Sequence, residues 1–266
     1  MKRNNEKGLK VIAGIIAIIL ILGILFVTNA FVGNPISAKL AERAINKYIE
    51  ENYASLNLQV EKPVYNFKDG AYMARVKSNT SIDTNFSVQY RNGEVYYDSY
   101  EDNVLGLFNT IQRLSDEYTS LVRDIMGNDL GYGDNNTWVD YDDNIYENSE
   151  HVLELDMKFD RELPISARVV VNVEIDNPSL QEAASILVEA HKAFKENRCY
   201  FQEYDLFVGN GKTTINIMGV KPKDIERNDL LDVLEAALER GDDIVIEEGQ
   251  DKKIEQEGIF VDIMEN

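Results

Sequence analysis

The chain is organised around the stretch LKVIAGIIAIILILGILFVTNAFV at residues 9–32. Lys10 is its only charged residue, and no ionisable side chain occurs from Val11 to Val32. At about 1.5 Å of rise per residue, a helix over this apolar run is roughly 33 Å long, enough to cross a hydrocarbon core of about 30 Å. The sequence therefore predicts a transmembrane helix over residues 9–32.

Positive charge precedes this helix. The first ten residues carry four basic side chains and a single acidic one, Glu6. Because Lys and Arg are retained on the cytoplasmic side of a membrane span, we expect residues 1–8 to be a cytoplasmic tail and everything after Val32 to be translocated. The predicted location is the plasma membrane, as a single-pass protein that contacts the lipid bilayer through residues 9–32 and is otherwise extracytoplasmic.

A cleaved signal peptide is the alternative interpretation of this stretch. Thr28-Asn29-Ala30 offers residues that tolerate cleavage after Ala30. Against cleavage, the apolar run is longer than the core of about 7–15 residues found in signal peptides. An uncleaved anchor is favoured, and cleavage after Ala30 stays open at the level of sequence.

The composition restricts the compartment and the partners. Asp and Glu number 47 against 27 Lys and Arg, a net charge of −20, which repels nucleic acid and predicts no nucleic-acid partner. Cys199 is the only cysteine, so no intramolecular disulfide can form. An exported domain without disulfides depends on its hydrophobic core, and this combination is typical of a bacterial cell envelope.

Residues 33–127 predict a first α+β domain. Ser37 is expected to cap a helix that begins soon after the membrane span. From Leu58 the apolar residues alternate, and Asp69-Gly70 and Asn92-Gly93 are strong signals for tight hairpin turns. The pattern predicts one helix followed by an antiparallel meander.

A long amphipathic helix with Asn103 as its expected cap completes this domain. Its apolar positions alternate at spacings of three and four residues, which permits two interpretations. The favoured one is a helix that packs on its own sheet, and the alternative is a coiled-coil seam through which copies of the chain self-associate. The positions of that seam are Val104, Leu107, Ile111, Leu114, Tyr118, Leu121 and Ile125.

An Asn- and Asp-rich segment, residues 128–150, predicts an acidic linker that contains the only tryptophan, Trp138. The second domain, residues 151–266, has the element order β-β-α-β-β-α-β, with helices on one face of a mainly antiparallel sheet. The predicted fold class is α+β, with an N-terminal transmembrane helix followed by two small α+β domains. The predicted strands of the second domain are residues 151–159, 167–175, 200–208, 213–218, 244–246 and 259–263, and its helices begin near residues 180 and 222.

The acidic linker contains a fragment of a calcium-loop pattern. Asp140, Asp142 and Asn144 match the start of that motif, but Ile145 stands where a glycine is required and His151 where a bidentate acid is required. A solvated linker is the favoured interpretation, and weak cation binding stays open.

A phosphate-loop reading of Gly211-Lys212-Thr213 fails for two reasons. The glycine required five residues earlier is Leu206, and the stretch lies between predicted strands instead of opening a helix. Asn210-Gly211 is therefore predicted to be a hairpin turn.

His191 and Cys199 are the residues that a thiol nucleophile with its base would require. His191 falls on the apolar stripe of its helix and Cys199 precedes an apolar strand, so both are expected in the core. We identify no histidine cluster for zinc and no serine-histidine-aspartate arrangement. The sequence predicts no catalytic, cofactor-binding or metal residues and a protein that is not an enzyme.

Tyrosines are the more informative residue class, with 14 in the chain. Tyr96 and Tyr97 are adjacent, so in a regular strand they face opposite sides of the sheet and cannot both be in the core. We expect Tyr72, Tyr90, Tyr96 and Tyr97 to form an aromatic surface for another envelope protein or a peptide. The alternative is that these tyrosines fill a half-buried sheet.

Four stretches around the first domain carry a resemblance to a known family. Together they resemble the YfjL-like family of small membrane-anchored proteins of low-GC Gram-positive bacteria, well over the anchor and the first domain and more loosely over the second. That family often has histidine where this chain has Asn85. The resemblance implies a membrane-bound extracytoplasmic protein and carries no catalytic residue across. The four stretches are Gly33-Asn34-Pro35-Ile36-Ser37, Tyr65-Asn66-Phe67-Lys68-Asp69-Gly70-Ala71-Tyr72, Asp83-Thr84-Asn85-Phe86 and Val95-Tyr96-Tyr97-Asp98-Ser99-Tyr100.

These observations predict a non-catalytic binding or regulatory module of the cell envelope. One alternative is an extracytoplasmic hydrolase that uses carboxylates, with a divalent cation held near Asp140. A second alternative is a structural envelope protein that self-associates through the Val104 to Ile125 seam.

Overall fold

The computed structural model describes residues 2–141, 152–241 and 258–265. It divides into two compact units, residues 1–109 and residues 110–266. The first helix, α1, runs over Lys2–Val32, and its side chains are exposed from Ile12 onward. Among the described residues it is the one helix long and apolar enough to cross a membrane.

Helix α2, Pro35–Asn52, begins only two residues after α1. Its cap is Asn34, whose side-chain oxygen accepts a hydrogen bond of 2.8 Å from the Ser37 peptide N–H. The prediction that Ser37 caps this helix is wrong, because Pro35 already occupies the first helical position, where its fixed φ and missing donor are tolerated.

A five-stranded antiparallel sheet follows in unit 1, with strand order β1-β3-β4-β5. The fifth strand, β2, also pairs with β3, on the same edge as β1. The meander is as predicted. Ile45 of α2 packs against one face of this sheet, where Val76 and Val88 belong to the same buried core. The strands are β1 Leu58–Val60, β2 Val64–Asn66, β3 Ala71–Ser78, β4 Asn85–Arg91 and β5 Glu94–Asp98.

The long helix of the prediction begins later than expected. A short π-helical turn covers Glu101–Leu105, and α3 is Phe108–Asn128, so Asn103 is not its cap. The reason is Leu107, whose φ of 59° is incompatible with a continuous helix.

The apolar stripe of α3 is buried in the core of unit 2. Tyr118, Val122 and Met126 share that core with strand residues such as Val169 and Leu206. This stripe therefore packs on the sheet that follows it in the chain, and the contacts of α3 with the preceding sheet include the hydrogen bonds from the Asn109 side chain to the carbonyls of Asp83 and Asn85. The coiled-coil alternative is wrong for the same reason, because the middle of the seam is covered within the chain and cannot face another copy.

Unit 2 holds a second five-stranded sheet in the order β10-β9-β8-β7-β6. Strands β7 and β8 are parallel, with helix α4 in the connection that parallel strands require, and the other pairs are antiparallel. The α+β class with mainly antiparallel sheets is confirmed. The elements are β6 Trp138–Tyr141, β7 Ala167–Glu174, α4 Leu180–Glu196, β8 Glu203–Gly209, β9 Thr213–Val220, α5 Pro222–Ile225, α6 Leu230–Arg240 and β10 Phe260–Glu265.

Three local predictions differ from the structure. Residues 152–159 form turns and irregular chain and not the predicted strand, whereas Trp138–Tyr141 is a strand within the predicted linker. Trp138–Tyr141 alternates only over four residues, which is too short a signal beside so many turn-forming Asp and Asn. The predicted strand at residues 244–246 lies outside the described residues. The predicted boundary after Gly127 also differs from the division at residue 109.

Candidate functional site

The junction between α1 and the rest of unit 1 is built around Gly33. This residue has a φ of 71°, in the left-handed region that favours glycine. A Cβ atom on Gly33 would lie 2.6 Å from the Tyr72 hydroxyl oxygen and 2.7 Å from the ring of Tyr65. No other residue fits here without a shift of the surrounding side chains.

Two hydrogen bonds tie the next residue to the same hairpin. The Asn34 peptide N–H donates to the Tyr72 hydroxyl at 2.8 Å, and that hydroxyl donates to the Asn34 carbonyl at 3.0 Å. The Tyr65 hydroxyl reaches the carbonyl of Ala30, in the last turn of α1, at 3.3 Å. Gly33, Asn34, Tyr65 and Tyr72 together form what we call the anchor junction. It fixes the end of α1 against the hairpin of β2 and β3.

Two of the four tyrosines of the predicted aromatic surface are buried and two are exposed. Tyr72 and Tyr90 are buried in the core of unit 1, so their assignment to a surface is wrong. They are cross-strand neighbours on the sheet face that packs against α2. Tyr96 and Tyr97 are each 42% exposed and remain available to a partner.

A β-bulge explains how two adjacent tyrosines are both exposed. Gln89 pairs with Tyr97 while Tyr90 pairs with Val95, so Tyr96 is the extra residue of β5. A bulge interrupts the regular alternation of faces and re-aims side chains. The sequence pattern could not show it, because the pairing partner in β4 decides where the extra residue falls.

Neighbouring polar groups orient the two exposed rings. The Tyr96 hydroxyl donates to Gln89 Oε1, and the guanidinium carbon of Arg91 lies 4.7 Å from the centre of the Tyr96 ring. The Tyr97 hydroxyl donates to Asp102 at 3.3 Å. Tyr96, Tyr97, Gln89 and Arg91 form what we call the tyrosine surface, which offers aromatic faces and a cation to a polypeptide.

Asp98 gathers a cluster of tyrosines that sequence reasoning missed. Its carboxylate accepts hydrogen bonds from the hydroxyls of Tyr48 and Tyr53, and from the Tyr100 peptide N–H at 2.9 Å. Burial, followed by the Asp98 contact, raises the pKa of the Tyr53 hydroxyl, so this group stays neutral. The cluster joins the C-terminal half of α2 to the end of β5. No local signal reveals it, because the partners are far apart in sequence.

A buried carboxylate, Asp205, lies on the sheet of unit 2. Asp205 accepts the Gly219 peptide N–H at 2.8 Å, and Arg168 lies 3.5 Å from its other oxygen. Arg168 also contacts Asp140 at 3.2 Å, and Asp140 accepts the Trp138 indole N–H at 2.9 Å. Burial raises the pKa of Asp205, against the lowering effects of Gly219 and Arg168.

These contacts bear on the calcium-loop fragment. Asp140 lies in a strand and its carboxylate is already engaged by Trp138 and Arg168. The other residues of that fragment, Asp142, Asn144, Ile145 and His151, lie outside the described residues. Within the described ranges, no group of three His, Cys, Asp or Glu side chains is arranged to hold a metal ion.

His191 and Cys199 do not form a nucleophile-base pair. The two ring nitrogens of His191 contact the Tyr204 hydroxyl at 2.9 Å and Glu226 at 3.3 Å. Cys199 is buried, and burial raises the pKa of its thiol, which disfavours the reactive thiolate. Cys199 lies in the core of unit 2, as predicted, whereas His191 is only partly buried. Asn210 likewise forms the predicted turn, with its side chain accepting the peptide N–H of Lys212 and Thr213.

Comparison with family models matches most of the chain. The model described as YfjL-like, N-terminal domain, matches residues 8–99, and the model described as YfjL-like C-terminal domain matches residues 117–235. The first match ends just after β5 and the second begins within α3, which agrees with the two units of the structure. No curated protein and no solved structure matches the chain.

The anchor junction generates a first prediction. Tyr72→Phe removes the hydroxyl that pairs with both backbone groups of Asn34, and leaving such groups unpaired costs about 1–3 kcal/mol. We expect amide hydrogen exchange around residues 29–38 to accelerate by about tenfold or more, measured by mass spectrometry on the full chain in detergent micelles. Tyr90→Phe, on the facing strand, is the control, and an equal acceleration in both variants would contradict the assignment.

Asp205 generates a prediction for pH dependence. Burial raises the folded-state pKa of Asp205 above the ordinary value of 3.8. At a pH above this folded-state pKa the buried carboxylate is charged, and its charge lowers the free energy of unfolding. Protonation at lower pH removes this destabilisation. Asp205→Asn lacks this component. The stability of the native chain relative to Asp205→Asn should therefore rise as the pH is lowered from about 7 to about 4.

Urea unfolding at several pH values, followed by the fluorescence of the single tryptophan, measures this difference. Trp138 lies in the same unit as Asp205 and stacks on Phe207, with ring centroids 6.2 Å apart. The exposed Asp124→Asn is the matched control for the loss of one negative charge. A stability difference that does not change with pH would show that the burial of Asp205 carries no proton linkage.

Proposed function

This chain belongs to the YfjL-like family, and from that premise we propose that it is a membrane-anchored, extracytoplasmic binding or regulatory module of the bacterial cell envelope without a catalytic centre. One observation carries the proposal. The apolar side chains of α1 from Ile12 to Val32 are exposed along the whole helix, so they need an apolar environment that the chain itself does not supply.

The length and charge of α1 support a membrane as that environment. The exposed apolar part is about 31 Å long at roughly 1.5 Å per residue, close to the thickness of a hydrocarbon core. Four basic residues precede it within the first ten positions of the chain, and the next basic residue after it is Lys39. This asymmetry favours a cytoplasmic N-terminus and an extracytoplasmic position for unit 2 and for the part of unit 1 that follows Val32.

The tyrosine surface supports a binding role for unit 1. It lies on β5, the last strand in the order β1-β3-β4-β5, and an extended polypeptide segment can add to such an edge by backbone hydrogen bonds. Tyr96 and Tyr97 would give the added segment aromatic contacts, and Arg91 would attract an acidic side chain. We propose that the partner is such a segment of another envelope protein.

Cysteine labelling of intact cells tests the orientation. Cys199 is buried, so the native chain should stay unlabelled by a membrane-impermeant maleimide. Lys212→Cys, in the exposed turn between β8 and β9, should be labelled in intact cells. Lys7→Cys should be labelled only after the membrane is permeabilised.

The reverse labelling pattern would contradict the proposed orientation. Labelling of the introduced cysteine in both variants in intact cells would contradict the anchor itself. Resistance of the protein to extraction from membranes with alkaline carbonate provides an independent measurement of anchoring.

Photocrosslinking tests the tyrosine surface. A photoreactive benzoylphenylalanine in place of Tyr97 should give a discrete adduct with a membrane or envelope protein when cells are irradiated. The same replacement at Tyr200, which is 60% exposed and lies in unit 2, is the matched control. Equal adducts from both positions, or none from Tyr97, would count against this surface.

A further inference from the structure

The hairpin of β2 and β3 lies beside the end of α1. Its turn begins at Phe67, whose ring centroid is 5.8 Å from that of Phe31. Phe31 is the second-last residue of α1, and the Tyr65 hydroxyl contacts the same helical turn at Ala30. The turn is therefore held close to the end of the apolar helix by the anchor junction.

Several large apolar side chains around this turn face solvent. Phe67 is 55% exposed and Val64 is 68% exposed. Ile36, in the first turn of α2, is 76% exposed. Exposed apolar side chains beside a membrane-spanning helix can be removed from water by contact with the lipid. Val64, Phe67 and the adjacent exposed Lys68 are called the hairpin tip below.

We propose that the hairpin tip is a second membrane contact, which inserts Phe67 into the interfacial layer of the bilayer that α1 crosses. The inference rests on the proposed function, because it requires α1 to span the membrane. The binding surface is part of unit 1, and what it binds is the phospholipid headgroup region.

The depth of Phe67 follows from its contact with Phe31. The polar layer of a bilayer is about 5–7 Å thick on each side of the hydrocarbon core. If the apolar run of α1 fills the core, Phe31 lies at the boundary of that layer, and Phe67 is within one ring contact of it. Aromatic side chains are favoured at this depth, where an apolar ring meets polar headgroups.

Charge at the hairpin tip fits a phospholipid, in contrast to the net charge of −20 for the whole chain. Lys68 follows Phe67 directly and is exposed, so its ammonium group can reach a headgroup phosphate. The neighbouring Asp69 carboxylate is engaged by the side-chain amide of Asn66 within the turn. A Phe-Lys pair on a rigid turn supplies one apolar and one cationic contact.

The tyrosine surface lies at the same end of the sheet. Tyr72 pairs with Tyr90, and Arg91 Nη1 donates to the carbonyl of Asp69 at 3.4 Å, so the β4–β5 turn lies beside the hairpin tip. A bilayer contact at Phe67 would therefore keep the tyrosine surface near the membrane. The proposed partner segment would then lie close to the lipid surface.

Fluorescence quenching on the full chain in liposomes of phosphatidylcholine and phosphatidylglycerol tests the contact. A polarity-sensitive fluorophore is attached to Lys68→Cys in a Cys199→Ala background, and the quencher is a nitroxide on the lipid headgroup. The comparison site is Ile82→Cys, an exposed apolar residue beyond the other end of β3, a strand of eight residues that is about 23 Å long at roughly 3.3 Å per residue. We expect several-fold stronger quenching at position 68 than at position 82.

Phe67→Asp in the Lys68→Cys background separates insertion from mere proximity. Because the carboxylate opposes entry into the interface, the variant should lose most of the quenching, whereas Phe67→Trp should retain it. Flotation of the liposomes after a carbonate wash checks the span of α1 in every sample. If the protein floats with the liposomes, three results would each overturn this inference alone: weak quenching at position 68, equal quenching at positions 68 and 82, or no effect of Phe67→Asp. If the protein does not float, the proposed anchor is overturned as well.

Discussion

The placement of unit 1 depends on one close backbone contact. Gly33 approaches Tyr65 and Tyr72 so closely that a single extra carbon atom would collide with the Tyr65 ring and the Tyr72 hydroxyl. The Tyr72 hydroxyl then satisfies the N–H and the carbonyl of Asn34, which are two of the few backbone groups between α1 and α2. An apolar helix and a folded unit are thus joined by a fixed connection where a flexible linker would allow free rotation. This constraint gives the hairpin tip and the tyrosine surface a defined direction relative to α1.

Two carboxylates of this acidic chain are paired with donors that lie elsewhere in the fold. Asp98, which is partly buried, accepts two tyrosine hydroxyls and a peptide N–H, and it joins α2 to the end of β5. Asp205, which is buried, accepts the Gly219 peptide N–H and lies beside Arg168 on the sheet of unit 2. A buried carboxylate without such partners would be strongly destabilising, so the contacts of Asp205 stabilise unit 2. In both cases the donors come from distant parts of the chain.

The local patterns of the sequence identified most elements of the fold. The turn signals and the alternation of apolar residues predicted the antiparallel meander of unit 1, in which the stretch before Asp69-Gly70 forms two strands, β1 and β2. The helical stripe after residue 108 was recognised, but not the sheet against which it packs, because an apolar stripe does not name its partner. Of the predicted aromatic surface, Tyr96 and Tyr97 are exposed, whereas Tyr72 turned out to hold the anchor junction. The sequence does not distinguish an exposed tyrosine from a buried one, because the side chain is an apolar ring with one polar atom in both environments.

The sequence by itself determined an N-terminal helix long and apolar enough to span a bilayer, the α+β class, the family and the absence of an internal disulfide. Each of these follows from composition, from periodicity within a short window or from motifs that are contiguous in the chain. Only the tertiary structure decided that Gly33 meets Tyr72, that a bulge exposes Tyr96 and Tyr97 together, and that Phe67 lies beside Phe31. These are contacts between residues brought together by strand pairing and packing, and no local pattern specifies the partner of a side chain across a fold.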